Sequence, residues 1–118
     1  MMRYNRMCRT DSMDVKQEAV RLRLYLGEDK RHGDRPLYHA IVAEARRLHL
    51  AGAMVVRGTE GFGHSTRLHT ADVLFSEDLP VLVEIVDKEQ KIDELLSALE
   101  ELGEIGLITY ERVTVLCC

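Results

Sequence analysis

The chain has 118 residues, 46% hydrophobic and 31% charged, and its 16 Lys+Arg against 20 Asp+Glu give a formal net charge of −4. That length accommodates one domain with its own core and no second one, and the composition is that of a folded chain rather than a disordered one. A negative balance, no tryptophan and 5% aromatic residues supply neither the cationic field nor the stacking faces that nucleic acid or an anionic membrane surface requires.

Residues 1–18 carry Arg3, Arg6, Arg9 and Lys16 and four of the five methionines, but no continuous apolar run. They read neither as a secretory leader nor as a membrane span. They are set aside as a disordered arm or as sequence ahead of a true start at Met13, with the folded domain expected over 19–118. The three cysteines are Cys8, Cys117 and Cys118. The adjacent pair is closer than a relaxed disulfide tolerates, so a disulfide framework is not expected and a reducing cytoplasm is.

Val20–Leu26 alternates strictly, with Val20, Leu22, Leu24 and Leu26 on one face and Arg21, Arg23 and Tyr25 on the other. This predicts a strand with one buried face. Gly27–Arg35 is a polar loop. Pro36 suits the first turn of a helix, whose N–H groups lack partners in any case. Leu37, Ile41, Ala45 and Leu48, with Tyr38 and Val42, then form a helical stripe that Gly52 is expected to stop.

The apolar run Ala53–Val56 predicts a central strand. Leu79–Val86 predicts another, on which Glu84 faces solvent or a subunit interface. Asp87 with Gln90 resembles a capping box. Ile92, Leu95, Leu96, Leu99 and Leu102 follow as one helical face closed by Gly103. A last strand is expected within Leu107–Leu116, with a lapse in alternation at Glu111-Arg112. The order β-α-β-β-α-β predicts a ferredoxin-like α+β fold: one antiparallel sheet with two helices on one face.

The 21 residues Gly58–Asp78 form an outsized connection without sustained periodicity, and loops of that length are commonly functional. Gly58, Gly61 and Gly63 allow a concave backbone that could gather N–H groups on an anion, with Arg57 and His64 beside it and Arg67 further on. A plain hairpin extension is the competing account. No Gly-Lys-Ser/Thr follows, so the segment is not a P-loop. His64, His69 and Asp72, with His32 and His39 elsewhere, match no tight zinc spacing and read as solvated. There is no nucleophile elbow and no His-Glu-x-x-His, so an enzyme is not expected. Tyr38 reads as a packing residue.

The ordered set Leu26-Gly27-Glu28, Arg35-Pro36-Leu37-Tyr38, Gly52-Ala53, Arg57-Gly58, Gly61-Phe62-Gly63, Asp78-Leu79-Pro80 and Val83–Asp87 resembles the PII-like proteins of domain-of-unknown-function family 190. The resemblance covers about residues 20–116. More distantly the chain is similar to PII signal-transduction proteins, which are ferredoxin-like homotrimers binding adenine nucleotides between subunits. There the long loop reports the bound ligand to partner proteins. The local matches are Gly61-Phe62-Gly63 and the turn Gly103–Gly106, including Ile105.

The resemblance implies a cytoplasmic homotrimer with an adenine nucleotide as its possible ligand and no firm cofactor. The ligand would be held by Arg57, Gly58, Gly61, Phe62, Gly63, His64, Arg67, Gly103, Ile105 and Gly106, and an unidentified protein partner would be met through loop 58–78. His64-Ser65 replace the Arg-Gln of PII proteins, and Leu107–Thr109 and Val113–Leu116 carry no charge where PII proteins hold phosphates. The implied ligand is therefore AMP-like; the missing glutamine removes a ligand that PII proteins use for 2-oxoglutarate, and uridylylation at a loop tyrosine does not carry over. Two alternatives remain: a metal-binding trimer similar to the CutA proteins of this fold, and an enzyme with a site built across subunits.

Overall fold

The computed structural model describes residues 16–63, 66–70 and 79–116, with the backbone alone at 62, 63 and 66–70. Strand β1 (Lys16–Gly27) leads into a small ladder of β2 (Arg31–His32) and β3 (Arg35–Pro36). Helix α1 (Leu37–Arg47) follows, then β4 (Ala53–Arg57), β5 (Glu60–Gly63), β6 (Thr66–Thr70), β7 (Pro80–Asp87), α2 (Glu89–Leu99), a 3-10 turn (Glu100–Leu102) and β8 (Leu107–Leu116). Four strands form one sheet in the order β4-β7-β1-β8, with every neighbour antiparallel. This is the ferredoxin-like α+β order with two helices. The predicted β-α-β-β-α-β sequence of elements holds.

Alternation on β1 does what it predicts. Val20, Leu22 and Leu24 have no exposed surface, and register places Leu22 opposite Ile85 and Leu24 opposite Val83 on the helix-covered face. Leu37, Ile41 and Ala45 from α1 and Ile92, Leu95 and Leu99 from α2 close the core above them. Each fully buried leucine or isoleucine there contributes about 1.5–3 kcal/mol relative to exposure. Tyr38 packs at the margin of this core, as expected. Lys16–Glu18, set aside with the arm in sequence, are the first residues of β1 and pair with Leu116–Thr114. Residues 1–15, Cys117 and Cys118 lie outside the described residues.

Several local expectations are corrected. The helix α1 ends before Gly52: Leu48 is its last cap and His49 takes positive φ (65°). The Leu50 N–H donates to the Ala45 carbonyl (2.9 Å) and the His49 N–H to that of Arg46 (3.1 Å). This is a Schellman closure with histidine where glycine is usual. Burial of Leu50 against the core holds the turn in place despite the cost of a side chain there. Asp87 forms no capping box. It ends β7, and Lys88 is the N-cap residue of α2, without a side-chain cap bond. Strand β4 is an edge of the sheet, not its centre, because β7 pairs with it on one side only. Strand β8 runs unbroken through Glu111 and Arg112, since those side chains find partners in Arg21 and Glu89. Gly103 does close the second helical segment, at φ 86°.

Candidate functional site

The stretch between β4 and β7 is more structured than its lack of periodicity predicts. Strands β5 and β6 pair as a hairpin, with Glu60 opposite Thr70, Gly61 opposite His69 and a register shift between Gly61 and Gly63. Phe62 and Gly63 stand on β5, and Arg67 and His69 on β6. His64, Ser65 and Asp72 lie outside the described residues. Among the described residues no group of three His, Cys, Asp or Glu gathers as a metal site.

Register fixes where this hairpin springs from. Gly27 faces Pro80, Arg57 faces Val81, and Leu107 faces Tyr25. The segment after β4 and the Gly103–Gly106 turn before β8 therefore open at the same end of the sheet. They sit on its opposite edges, with β7 and β1 between them. Three strand spacings separate them by about 14 Å. The two halves of the predicted site do not meet in one chain.

In the first half, Arg57 ends β4 and forms an ion pair with Glu28, whose side chain is 18% exposed against 59% for the arginine. The Glu28 N–H donates to the Leu79 carbonyl (2.8 Å), and the Gly58 N–H to the Pro80 carbonyl (2.7 Å). Gly58 and Gly61 both lie on the Pro80 ring: a Cβ at either would come 2.9 Å and 3.2 Å from Pro80 Cγ. Their missing side chains answer a packing requirement. Strand β5 is extended, and the positive-φ glycines among the described residues are Gly33, Gly103 and Gly106.

The left-handed backbone belongs instead to the second half. Gly103 (φ 86°) and Gly106 (φ 137°) frame Ile105, whose side chain is buried in the core. The Ile105 carbonyl accepts from Lys30 Nζ at 3.1 Å. Arg31, on the same loop, donates to the Asp34 carbonyl. Thus the turn after β1 reaches both halves, through Glu28 to Arg57 and through Lys30 to Ile105. Neither Glu28 nor Lys30 stood among the candidate site residues. The signal available was weak: a run of four charged residues, Glu28–Arg31, directly after a buried strand.

The sheet face away from the helices carries a cross-strand charge ladder. Arg21 pairs with Glu111 (2.5 Å), and Arg23 with Glu84 (3.2 Å). The hydrogen bond from Arg23 to Glu84 raises the pKa of the guanidinium above its ordinary value. A depression of about 400 Å³ on this face is lined by Arg21, Gly52, Ala53, Met54, Glu84 and Val86. It contains none of the candidate site residues. Both edge strands expose apolar side chains, among them Met54, Val55 and Val56 on β4 and Leu107, Ile108 and Tyr110 on β8.

Solved PII-like proteins share this ferredoxin-like fold. The structure of CPII, a nitrogen regulatory PII-like protein from Thiomonas intermedia K12 bound to ADP, AMP and bicarbonate, matches with a TM-score of 0.66, covering 88% of this chain and 92% of that one at 14% identity. A structure from Thermus thermophilus, described as that of a PII-like signaling protein, matches with a TM-score of 0.58, covering 88% and 94% at 20% identity.

At the level of sequence the chain belongs to the family DUF190, described as Uncharacterized ACR, COG1993, whose model matches residues 19–115. It is also similar to a UPF0166 protein of Aquifex aeolicus (strain VF5), 33% identical over 96 residues that cover 80% of this chain and 90% of the relative. The resemblance drawn from the sequence and the ferredoxin-like fold both hold.

Proposed function

We propose that this chain is a cytoplasmic PII-like regulatory protein that binds an adenine nucleotide, AMP-like in charge, in clefts between the subunits of a homotrimer. It makes and breaks no bond, and the 58–78 segment carries the ligand state to a protein partner. The observation that supports this reading most is the placement of the two half-sites. The Arg57–Gly63 segment and the Gly103–Gly106 turn open at one end of the sheet but on opposite edges. A second copy that brings its β8 edge near this β4 edge joins them into one cleft.

The exposed apolar residues on both edges favour such contacts. CPII, of like fold, is bound to ADP and AMP. Lys30 and Arg57 border the two half-sites, but Leu107, Ile108 and Thr109 beyond the Gly106 turn are uncharged. A triphosphate held there would leave charge unpaired in a partly buried cleft, which is costly. One phosphate needs less.

Calorimetric titration with AMP, ADP and ATP at fixed salt, combined with light scattering for mass, tests the reading. The expected result is one AMP per subunit of a trimer, with AMP at least as tight as ATP. A monomer, or the absence of binding by all three nucleotides, overturns it.

A further inference from the structure

Arg57 already holds an anion that belongs to the chain itself. The Glu28 carboxylate is its partner, and the two differ in freedom. Glu28 follows the last residue of β1, its N–H is fixed to the Leu79 carbonyl, and its side chain is largely covered. The Arg57 side chain is more than half exposed at the sheet edge. When a phosphate reaches this end of the sheet, the arginine is the member of the pair that can turn toward it, whereas the carboxylate is held near its present position.

We propose that Glu28 is a specificity-determining residue: its carboxylate competes with the ligand's anionic group for Arg57 and disfavours ligands in proportion to their negative charge. The inference rests on the nucleotide reading above and deepens it by naming what limits phosphate number. Like charges brought together in a partly desolvated cleft repel more as the ligand's charge grows, and the lost ion pair must be repaid by each ligand alike. A singly phosphorylated nucleotide meets the smallest penalty. Removal of the Glu28 charge without change of shape should then help every anionic ligand, and the most charged one most.

The test compares wild type with Glu28→Gln, Arg57→Ala and the double variant. Calorimetry with AMP, ATP and adenosine should show Glu28→Gln binding AMP about threefold and ATP about tenfold more tightly than wild type, with adenosine unchanged. In the Arg57→Ala background the same change should have a smaller effect, because the contested guanidinium is gone. Equal or weaker ATP binding by Glu28→Gln overturns the proposal.

A second arm needs no nucleotide. Inorganic pyrophosphate is titrated while the Arg57 Nε–H resonance is followed by NMR, and Glu28→Gln should respond at lower concentration than wild type. If no nucleotide binds but this response appears, the nucleotide reading fails and the role of Glu28 stands. If Glu28→Gln responds no earlier than wild type, the role of Glu28 fails whatever the nucleotides do.

Discussion

The Pro80 ring occupies the space in which a side chain at Gly58 would begin, with 2.9 Å between Pro80 Cγ and an ideal Cβ on Gly58. The same two residues are joined by the Gly58 N–H donating to the Pro80 carbonyl at 2.7 Å, so neither backbone can retreat without loss of that bond. Gly58→Ala should therefore destabilise the chain by about 1–3 kcal/mol, the usual cost of overpacking. Pro80→Ala, which deletes Cγ, should return most of that loss when combined with it. Urea unfolding of the two single variants and the double variant measures the coupling, and additive losses would mean that the ring contact is not the cause.

Asp87 links the second helix to the loop before β4. Its carboxylate accepts from the N–H of Ala51 at 2.8 Å and from that of Lys88 at 2.7 Å, and the residue is buried. Asp87→Ala leaves the Ala51 donor without that acceptor, at a cost of about 1–3 kcal/mol. Asp87→Asn keeps one acceptor oxygen and should lose less. Denaturant midpoints for the two variants give the order, and an asparagine variant as unstable as the alanine one would contradict it.

Acid should weaken the fold through two exposed pairs. A hydrogen bond from Arg112 holds the Glu89 carboxyl below its ordinary pKa, and one from Arg47 does the same for Glu44. A carboxyl whose folded pKa lies below its unfolded one stabilises above the unfolded value, and that stability is lost as pH falls through the folded value. The loss should thus set in as pH drops below about 4.5. Combined Glu44→Gln and Glu89→Gln should flatten this part of the urea-midpoint profile between about pH 5 and pH 3. A profile as steep as that of wild type would assign the acid sensitivity to other groups.

The edge strand β4 should report assembly. Met54 and Val56 are exposed and stand on the open face of the sheet, opposite Glu84 and Leu82. If this edge meets another copy, Val56→Lys places a charge in a desolvated contact and should shift the mass from the assembly toward the monomer at micromolar concentration. Light scattering across a dilution series reads the shift. A variant with wild-type mass and unchanged folding places the subunit contact elsewhere.

Local pattern was sufficient wherever burial is decided by a residue's immediate neighbours. The alternation from Val20 to Leu26 and the stripes in α1 and α2 express periods of two and 3.6 residues, so they give the same answer in isolation as in the folded chain. It was insufficient at Ala53–Val56. An unbroken apolar run reads as a strand covered on both sides, yet β4 has a neighbour on one side only, and the run is exposed in the single chain. The apolar residues are the same in both cases, and the sequence carries no sign of whether its own sheet or another copy covers them.

The stop of α1 is a similar case. Gly52 is the better local stop signal, but the Leu50–Ala45 bond and the burial of Leu50 close the helix three residues earlier, at His49. Sequence by itself determined the order of the four sheet strands and two helices, the family and the core residues on those elements, because these follow from hydrophobic periodicity and from motif order. Tertiary structure alone decided that Glu28 meets Arg57, that Lys30 reaches Ile105, and that Gly58 and Gly61 lie against Pro80. Those contacts join residues up to 75 positions apart through strand order and register, and no local pattern records a distance that only the pairing of strands creates.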